Sequence, residues 1–132
     1  MQNVLRALPE DPKKRKAVPL TTGLLDYFPL ALAEVARVSK AGNDQHNPGQ
    51  PLHWNRGKSS DHADCVTRHL IERGTIDSDG MRHSAKAAWR MLALLQEEME
   101  AEAGFDPNPP DPHETIVAQL AVSRLKANRD GR

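Results

Sequence analysis

From Met81 to Met99 apolar side chains recur in alternating steps of four and three, at Met81, Ala85, Ala88, Leu92, Leu95 and Met99. That spacing gathers them on one stripe of a single long helix and does not fit the two-residue alternation of a strand. Trp89 and Met91 widen the stripe, and Gly104 suits the left-handed residue that ends a helix. The pattern predicts a helix over 81–103, entered through the turn Gly74-Thr75-Ile76-Asp77-Ser78-Asp79-Gly80. A helix with one apolar stripe has to bury it against other helices.

Three further segments supply candidates. Over 29–41, Pro29 suits a first helical turn, Gly42 a stop, and Leu30, Ala31, Leu32, Val35, Ala36 and Val38 form a broad apolar face. Ser59-Ser60-Asp61 is a capping cluster that opens a second helix, closed by Gly74. A last amphipathic helix is predicted over 113–127, with Ile116, Val117, Leu120, Ala121 and Leu125 on its apolar face. The stretch 105–112 holds four prolines and cannot be helical throughout. No segment reads as a strand and no repeat is present. The expected class is all-α, a helical bundle. Its parts are a charged arm over 1–19, a helical domain over 20–104, a proline-rich linker over 105–112 and a C-terminal helix over 113–132. The arm carries Lys13-Lys14-Arg15-Lys16; it is either a solvated extension or a segment that touches phosphate or a neighbouring subunit.

Of 132 residues only 38% are hydrophobic and 4% aromatic, so one chain has little with which to fill a core. Small helical chains of this kind often complete the core by oligomerising. Eighteen basic residues balance eighteen acidic ones, which argues against bulk attraction to nucleic acid or a membrane surface. The apolar runs are too short to span a bilayer, and the N-terminus lacks a signal-peptide core, so a cytoplasmic protein is expected. A lone Cys65 agrees with a reducing compartment.

Chemistry concentrates in 42–58, a long polar stretch between two predicted helices that reads GNDQHNPGQPLHWNRGK. Long structureless loops in compact domains are mostly functional, and this one is rich in donors that grip phosphates and read base edges. Trp54 within it is either a packing anchor or a platform on which a base stacks. On the second helix Asp61, Asp64 and Arg68 fall at i, i+3 and i+7 and share a face. They suit a hard divalent cation, or else make a solvated face with an Asp64–Arg68 ion pair and Asp61 as a helix-start charge. Glu34 sits inside an apolar face, four residues from both Leu30 and Val38, where a carboxylate is costly unless compensated. It offers a third carboxylate. Asp79, His83, Lys86 and Arg90 align on the third helix, either as its wet side or with Lys86 and His83 on a triphosphate and Asp77 or Asp79 at the rim. His62, Cys65 and His69 share a face too, but zinc wants a fourth ligand, and a buried cysteine beside two histidines is the simpler reading.

Several runs resemble the phage and bacterial dATP/dGTP diphosphohydrolases, which are MazG-like all-α nucleotide pyrophosphohydrolases. They are YFPLALAEVA over 27–36, GNDQHNP over 42–48, LHWNRGK over 52–58, Asp64 followed by Arg68-His69-Leu70, and DSDGMRH over 77–83. Within that group the chain is most similar to the MazZ type, carried by phages that replace adenine with 2-aminoadenine. The resemblance covers residues 18–98. It implies a MazG-like bundle, often a tetramer with sites built across subunits, and Mg2+- or Mn2+-dependent hydrolysis of a purine (d)NTP to monophosphate and pyrophosphate. In the phage setting dGTP would give dGMP for 2-aminoadenine nucleotide synthesis. The usual MazG pattern pairs Glu-x-x-Glu with a later Glu-x-x-Asp. Here Arg37 stands three after Glu34, and the second motif reads Asp61-x-x-Asp64.

The expected metal ligands are therefore Glu34, Asp61, Asp64 and Asp77, with Glu34 and Asp64 catalytic and Asp79 a reasonable substitute for Asp77. Substrate contacts are expected from Lys40, Asn43, Gln45, His46, Trp54, Asn55, Arg56, Lys58, Arg68, His83 and Lys86. The competing readings are a non-enzymatic phage adaptor or nucleic-acid-binding bundle, and a pyrophosphatase for another base such as dUTP. Neither a membrane nor a nucleic acid is expected as partner.

Overall fold

The computed structural model describes residues 6–106 together with Leu120 and Arg124. Its elements are α1 (Pro12–Lys16), a π-helical turn (Thr21–Leu25), α2 (Pro29–His46), a 3-10 turn (Arg56–Lys58), α3 (His62–Ile71) and α4 (His83–Glu102). The expected all-α class holds, with one isolated antiparallel bridge, Ile76 to Arg82, closing the turn between α3 and α4. The predicted helix over 113–127 lies outside the described residues, apart from Leu120 and Arg124, and so does the linker beyond Asp106. Among the described residues no helix is long and apolar enough to cross a membrane.

Three boundaries differ from the sequence expectation. Gly42 does not stop α2, which runs on to His46. The reason lies one residue later. Buried Asn43 donates from Nδ2 to the Gln50 carbonyl (3.1 Å), and its Oδ1 accepts from the His53 amide (3.3 Å). The extra helical turn carries the side chain that holds the loop, and the loop proper begins at Asn47. α3 ends at Ile71, with Gly74 in the left-handed region (φ 83°) three residues on. α4 starts at His83 rather than Met81, because Asp77 N–H donates to Met81 O (2.8 Å) and His83 N–H to Thr75 O (3.2 Å), which keeps 75–82 as a closed turn.

α3 and α4 form an antiparallel hairpin, as His62 at the start of α3 meets Glu97 and His69 near its end meets His83. α2 packs on the same α4, where Trp89 Nε1 donates to Ser39 Oγ (2.5 Å). The buried apolar side chains among the described residues are only Cys65, Ala85 and Ala93. At about 100° per residue, the buried α4 positions His83, Ala85, Ala93 and Glu100 lie to one side of the apolar stripe, with Ala85 at the border. Leu92, Leu95 and Met99 stay about half exposed, at 51%, 49% and 52%. The chain thus turns a small and polar face of α4 inward and leaves much of the apolar stripe outside. Leu30 on α2, at 84% exposed, is likewise uncovered.

Asn43→Ala removes the loop's attachment and leaves the Gln50 carbonyl and His53 amide to find other partners. The expected cost is about 1–3 kcal/mol, read from urea unfolding, with faster proteolysis within 47–55. Wild-type stability in that variant would mean the loop is held elsewhere.

Candidate active site

A cleft of about 410 Å³ opens between the C-terminal half of α2, the 47–61 segment, one side of α3 and the first half of α4. Its volume lies within the range of small-molecule sites, roughly 300–1,000 Å³. Of the residues expected at the substrate, Asn43, Gln45, His46, Trp54, Asn55, Lys58 and Lys86 line it. So do Ser59, His62, His69, Asp79, Trp89 and Arg90.

Four expected contacts sit elsewhere, each engaged by another group. Lys40 pairs with Asp44 one helical turn on (2.6 Å). Arg68 reaches Asp61 (3.4 Å) and the Cys65 sulfur (3.0 Å), so the ion pair on α3 is made by Asp61 and not by the Asp64 that spacing suggested. Arg56 is bound to Glu100, with one Nη1–Oε2 distance of 2.7 Å and a shorter contact to Oε1. His83 is buried, with Nδ1 on His69 (2.9 Å) and Nε2 facing Glu72 (3.0 Å). Trp54 is edge-on to Trp89 (centroids 5.8 Å), and the Arg56 guanidinium covers its ring at 3.9 Å. One face of Trp54 is therefore occupied by the protein itself.

The carboxylates fall into two groups. Glu34 is half-buried and salt-bridged to Arg37 (2.7 Å), which compensates it within its apolar face. Asp61 and Asp64 are exposed, Asp61 taking no capping bond on α3 and spending its side chain on Cys65 and Arg68. The Cys65 hydrogen bond, helped by Arg68, lowers the Asp61 pKa. Asp77 stands in the α3–α4 turn, where Lys86 Nζ binds both Asp77 (2.6 Å) and Asp79 (2.7 Å). The Lys86 hydrogen bond, with the Ser78 amide, holds Asp77 down at about 2, and a hydrogen bond from Lys86 also lowers the Asp79 pKa. Burial works against the ammonium's charge, but its bonds to the two aspartates outweigh that and raise its pKa. Of the polar row on α4, His83 is buried and Lys86 and Arg90 are half-buried, so the row is not simply a solvated face, although Asp79 before the helix is exposed.

Among the described residues, the three-donor group close enough to hold a metal is His69, Asp77 and His83, whose ligand atoms all lie within 4.8 Å of one another. Asp77 belongs to the expected ligand set; Glu34, Asp61 and Asp64 do not join such a group within one chain. His62 and Cys65 are not part of it. His62 Nδ1 faces Arg90 (3.2 Å), which fixes its proton on Nε2 toward Glu97 (3.3 Å). Burial, then the neighbouring His83, lowers the His69 pKa.

Two residues that the sequence reading passed over prove important. Glu100, 3% exposed, anchors Arg56, and Ser39 takes the Trp89 indole proton. Glu100 lies seven residues after Ala93 on the same face, a carboxylate on a packing row, and that was the available signal. Arg56→Ala strands this buried carboxylate and is expected to cost about 3–5 kcal/mol. Arg56→Met combined with Glu100→Leu should recover most of it. Equal losses in the single and double variants, measured by denaturant unfolding, would show that the pair is not what holds the loop.

Neither a curated protein nor a solved structure matches the chain. A family model described as dATP/dGTP diphosphohydrolase, N-terminal, matches residues 9–107, which takes in every helix from α1 to α4 and the whole lining of the cleft. The chain therefore belongs to the dATP/dGTP diphosphohydrolase family.

Proposed function

We propose that the protein hydrolyses a purine (d)NTP to the monophosphate and pyrophosphate, with dGTP preferred over GTP and dATP. The observation that carries this reading is the cleft, which collects seven of the eleven expected substrate contacts in a chain of that family. Amides and imidazoles from Asn55, Gln45 and His46 suit a base and sugar, while Lys58, Lys86 and Arg90 suit a polyphosphate. Asn43 acts by holding the loop. Water attacks the α-phosphorus, the bond to the bridging oxygen breaks, and pyrophosphate leaves. Hydrolysis of this kind depends on positioning and electrostatics and needs no covalent nucleophile, so Cys65 has no part in it.

A divalent ion, Mg2+ or Mn2+, would neutralise phosphate charge and lower the pKa of a bound water. Asp77 fits such an ion. Half-buried Glu34 on α2 and exposed Asp61 and Asp64 on α3 do not group within one chain, so their convergence would belong to an oligomer, a tetramer in this reading. The uncovered Leu92, Leu95, Met99 and Leu30 support that assembly. Within a phage of the MazZ type the product dGMP would feed 2-aminoadenine nucleotide synthesis.

A panel of each (d)NTP with Mg2+ or Mn2+, products resolved by chromatography, tests the reading. Monophosphate and pyrophosphate from dGTP, abolished by EDTA and by Glu34→Gln with helix content intact, are expected. Turnover of dUTP alone would move the base assignment to pyrimidines, and no turnover of any triphosphate would put the adaptor reading first. Sedimentation velocity should give a tetramer, reduced to smaller species by Leu95→Glu; a monomeric wild type would remove the shared-site element.

A further inference from the structure

We propose that His69, Asp77 and His83 bind one divalent first-row transition-metal ion at the edge of the cleft. His69 comes from the last turn of α3, Asp77 from the turn, and His83 from the first position of α4, with all three ligand atoms within 4.8 Å. A tetrahedral ion with bonds of about 2.1 Å holds its ligands about 3.4 Å apart, so small side-chain adjustments suffice.

The decisive detail is the tautomer of His83. Its Nε2 lies 3.0 Å from a Glu72 carboxylate oxygen; in the tautomer protonated at Nε2 that carboxylate faces the N–H, and the Nδ1 lone pair is directed at His69. A carboxylate that takes the distal proton of an imidazole is the usual outer support of a metal-bound histidine. The two Nδ1 atoms lie 2.9 Å apart, a separation that a single proton can bridge. An ion in place of that proton gives both lone pairs a partner. Asp77 keeps capacity for a metal: Oδ1 takes the Ser78 amide and hydroxyl, while Oδ2 accepts from Lys86 and has a second lone pair.

Charge and rigidity favour the same conclusion. Glu72, Asp77 and Asp79 carry three negative charges against Lys86, with Arg90 also acting on His69, so the cluster keeps a negative excess that a divalent ion offsets. The turn is closed by the Ile76–Arg82 bridge and the His83-to-Thr75 hydrogen bond, so little ordering is left for binding to accomplish. Two imidazoles with one carboxylate select Zn2+, Co2+ or Mn2+ over Mg2+, which prefers oxygen ligands and its own water. Only Asp77 is shared with the ligands of the hydrolase reading, and metal binding here stands whether or not nucleotide is turned over.

The test uses EDTA-stripped full-length protein titrated with Co2+, followed by visible d–d absorption, with Zn2+ as competitor. One equivalent per chain, displaced by Zn2+ and not by a large excess of Mg2+, is expected. Glu72→Gln should weaken Zn2+ by about 10- to 100-fold, and His69→Gln, His83→Gln and Asp77→Asn by more. Because His83 is buried, Asp77→Asn with unchanged helix content serves as the variant least exposed to misfolding. Three results would overturn the proposal: no saturable Co2+ or Zn2+ binding by the wild type, undiminished binding in folded Asp77→Asn, or a sulfur-to-cobalt charge-transfer band, which would place the ion on Cys65.

Discussion

Polar cross-links anchored on α4 hold α2, α3, the loop and the α3–α4 turn in register. Trp89 takes α2 through Ser39, Arg90 and Glu97 take α3 through His62, Glu100 takes the loop through Arg56, and Lys86 takes the turn through Asp77 and Asp79. With Cys65, Ala85 and Ala93 as the buried apolar side chains among the described residues, close packing alone has little to work with. Hydrogen bonds to charged groups contribute about 1.5–3 kcal/mol each and are directional. They fix where the elements sit as well as keeping them together. Six of these side chains, Ser39, His62, Asp79, Lys86, Trp89 and Arg90, also line the cleft, so the scaffold and the candidate site share residues.

That economy explains what the sequence could and could not convey. The stripe from Met81 to Met99 announced α4, and local spacing located α2 and α3 to within a few residues. Gly42 misled because glycine ends helices only where the next residues leave the helix, and here Asn43 rewards one more turn by gripping the loop. The cleft lining was readable because donors clustered in one loop. Which cations would be unavailable was readable only in part. The Lys40–Asp44 pair follows from i,i+4 spacing. The Arg56–Glu100 pair joins residues 44 apart, and nothing local connects them. The His69–His83 contact likewise depends on the turn closing the hairpin, a tertiary event.

The position of the stripe on α4 bears on assembly. A bundle that completed its core within one chain would place Leu92, Leu95 and Met99 between its helices. Instead the inward row is Ala85, Ala93 and Glu100, small enough for α3 to approach and polar enough to need pairing. Small side chains permit the close hairpin, and the larger apolar ones are left for another surface. Burying them in the proposed oligomer would release about 25 cal/mol per Å² of apolar area.

Electrostatics within the cleft gives a metal a physical reason to be there. Lys86 belongs to the cleft, yet its ammonium is shared between two aspartates, both held ionised by it. That part of the wall is net negative, with Glu72 adding to it behind His83. Lys58 and Arg90 are the cations that remain for an incoming triphosphate, and the latter also serves His62. On the proposed reading, a polyanion approaching the Asp77–Asp79 edge would meet repulsion that a divalent ion held there would offset. With an ion held there, the same edge would offer phosphate both Lys86 and a metal, and its charge would favour phosphate instead of opposing it.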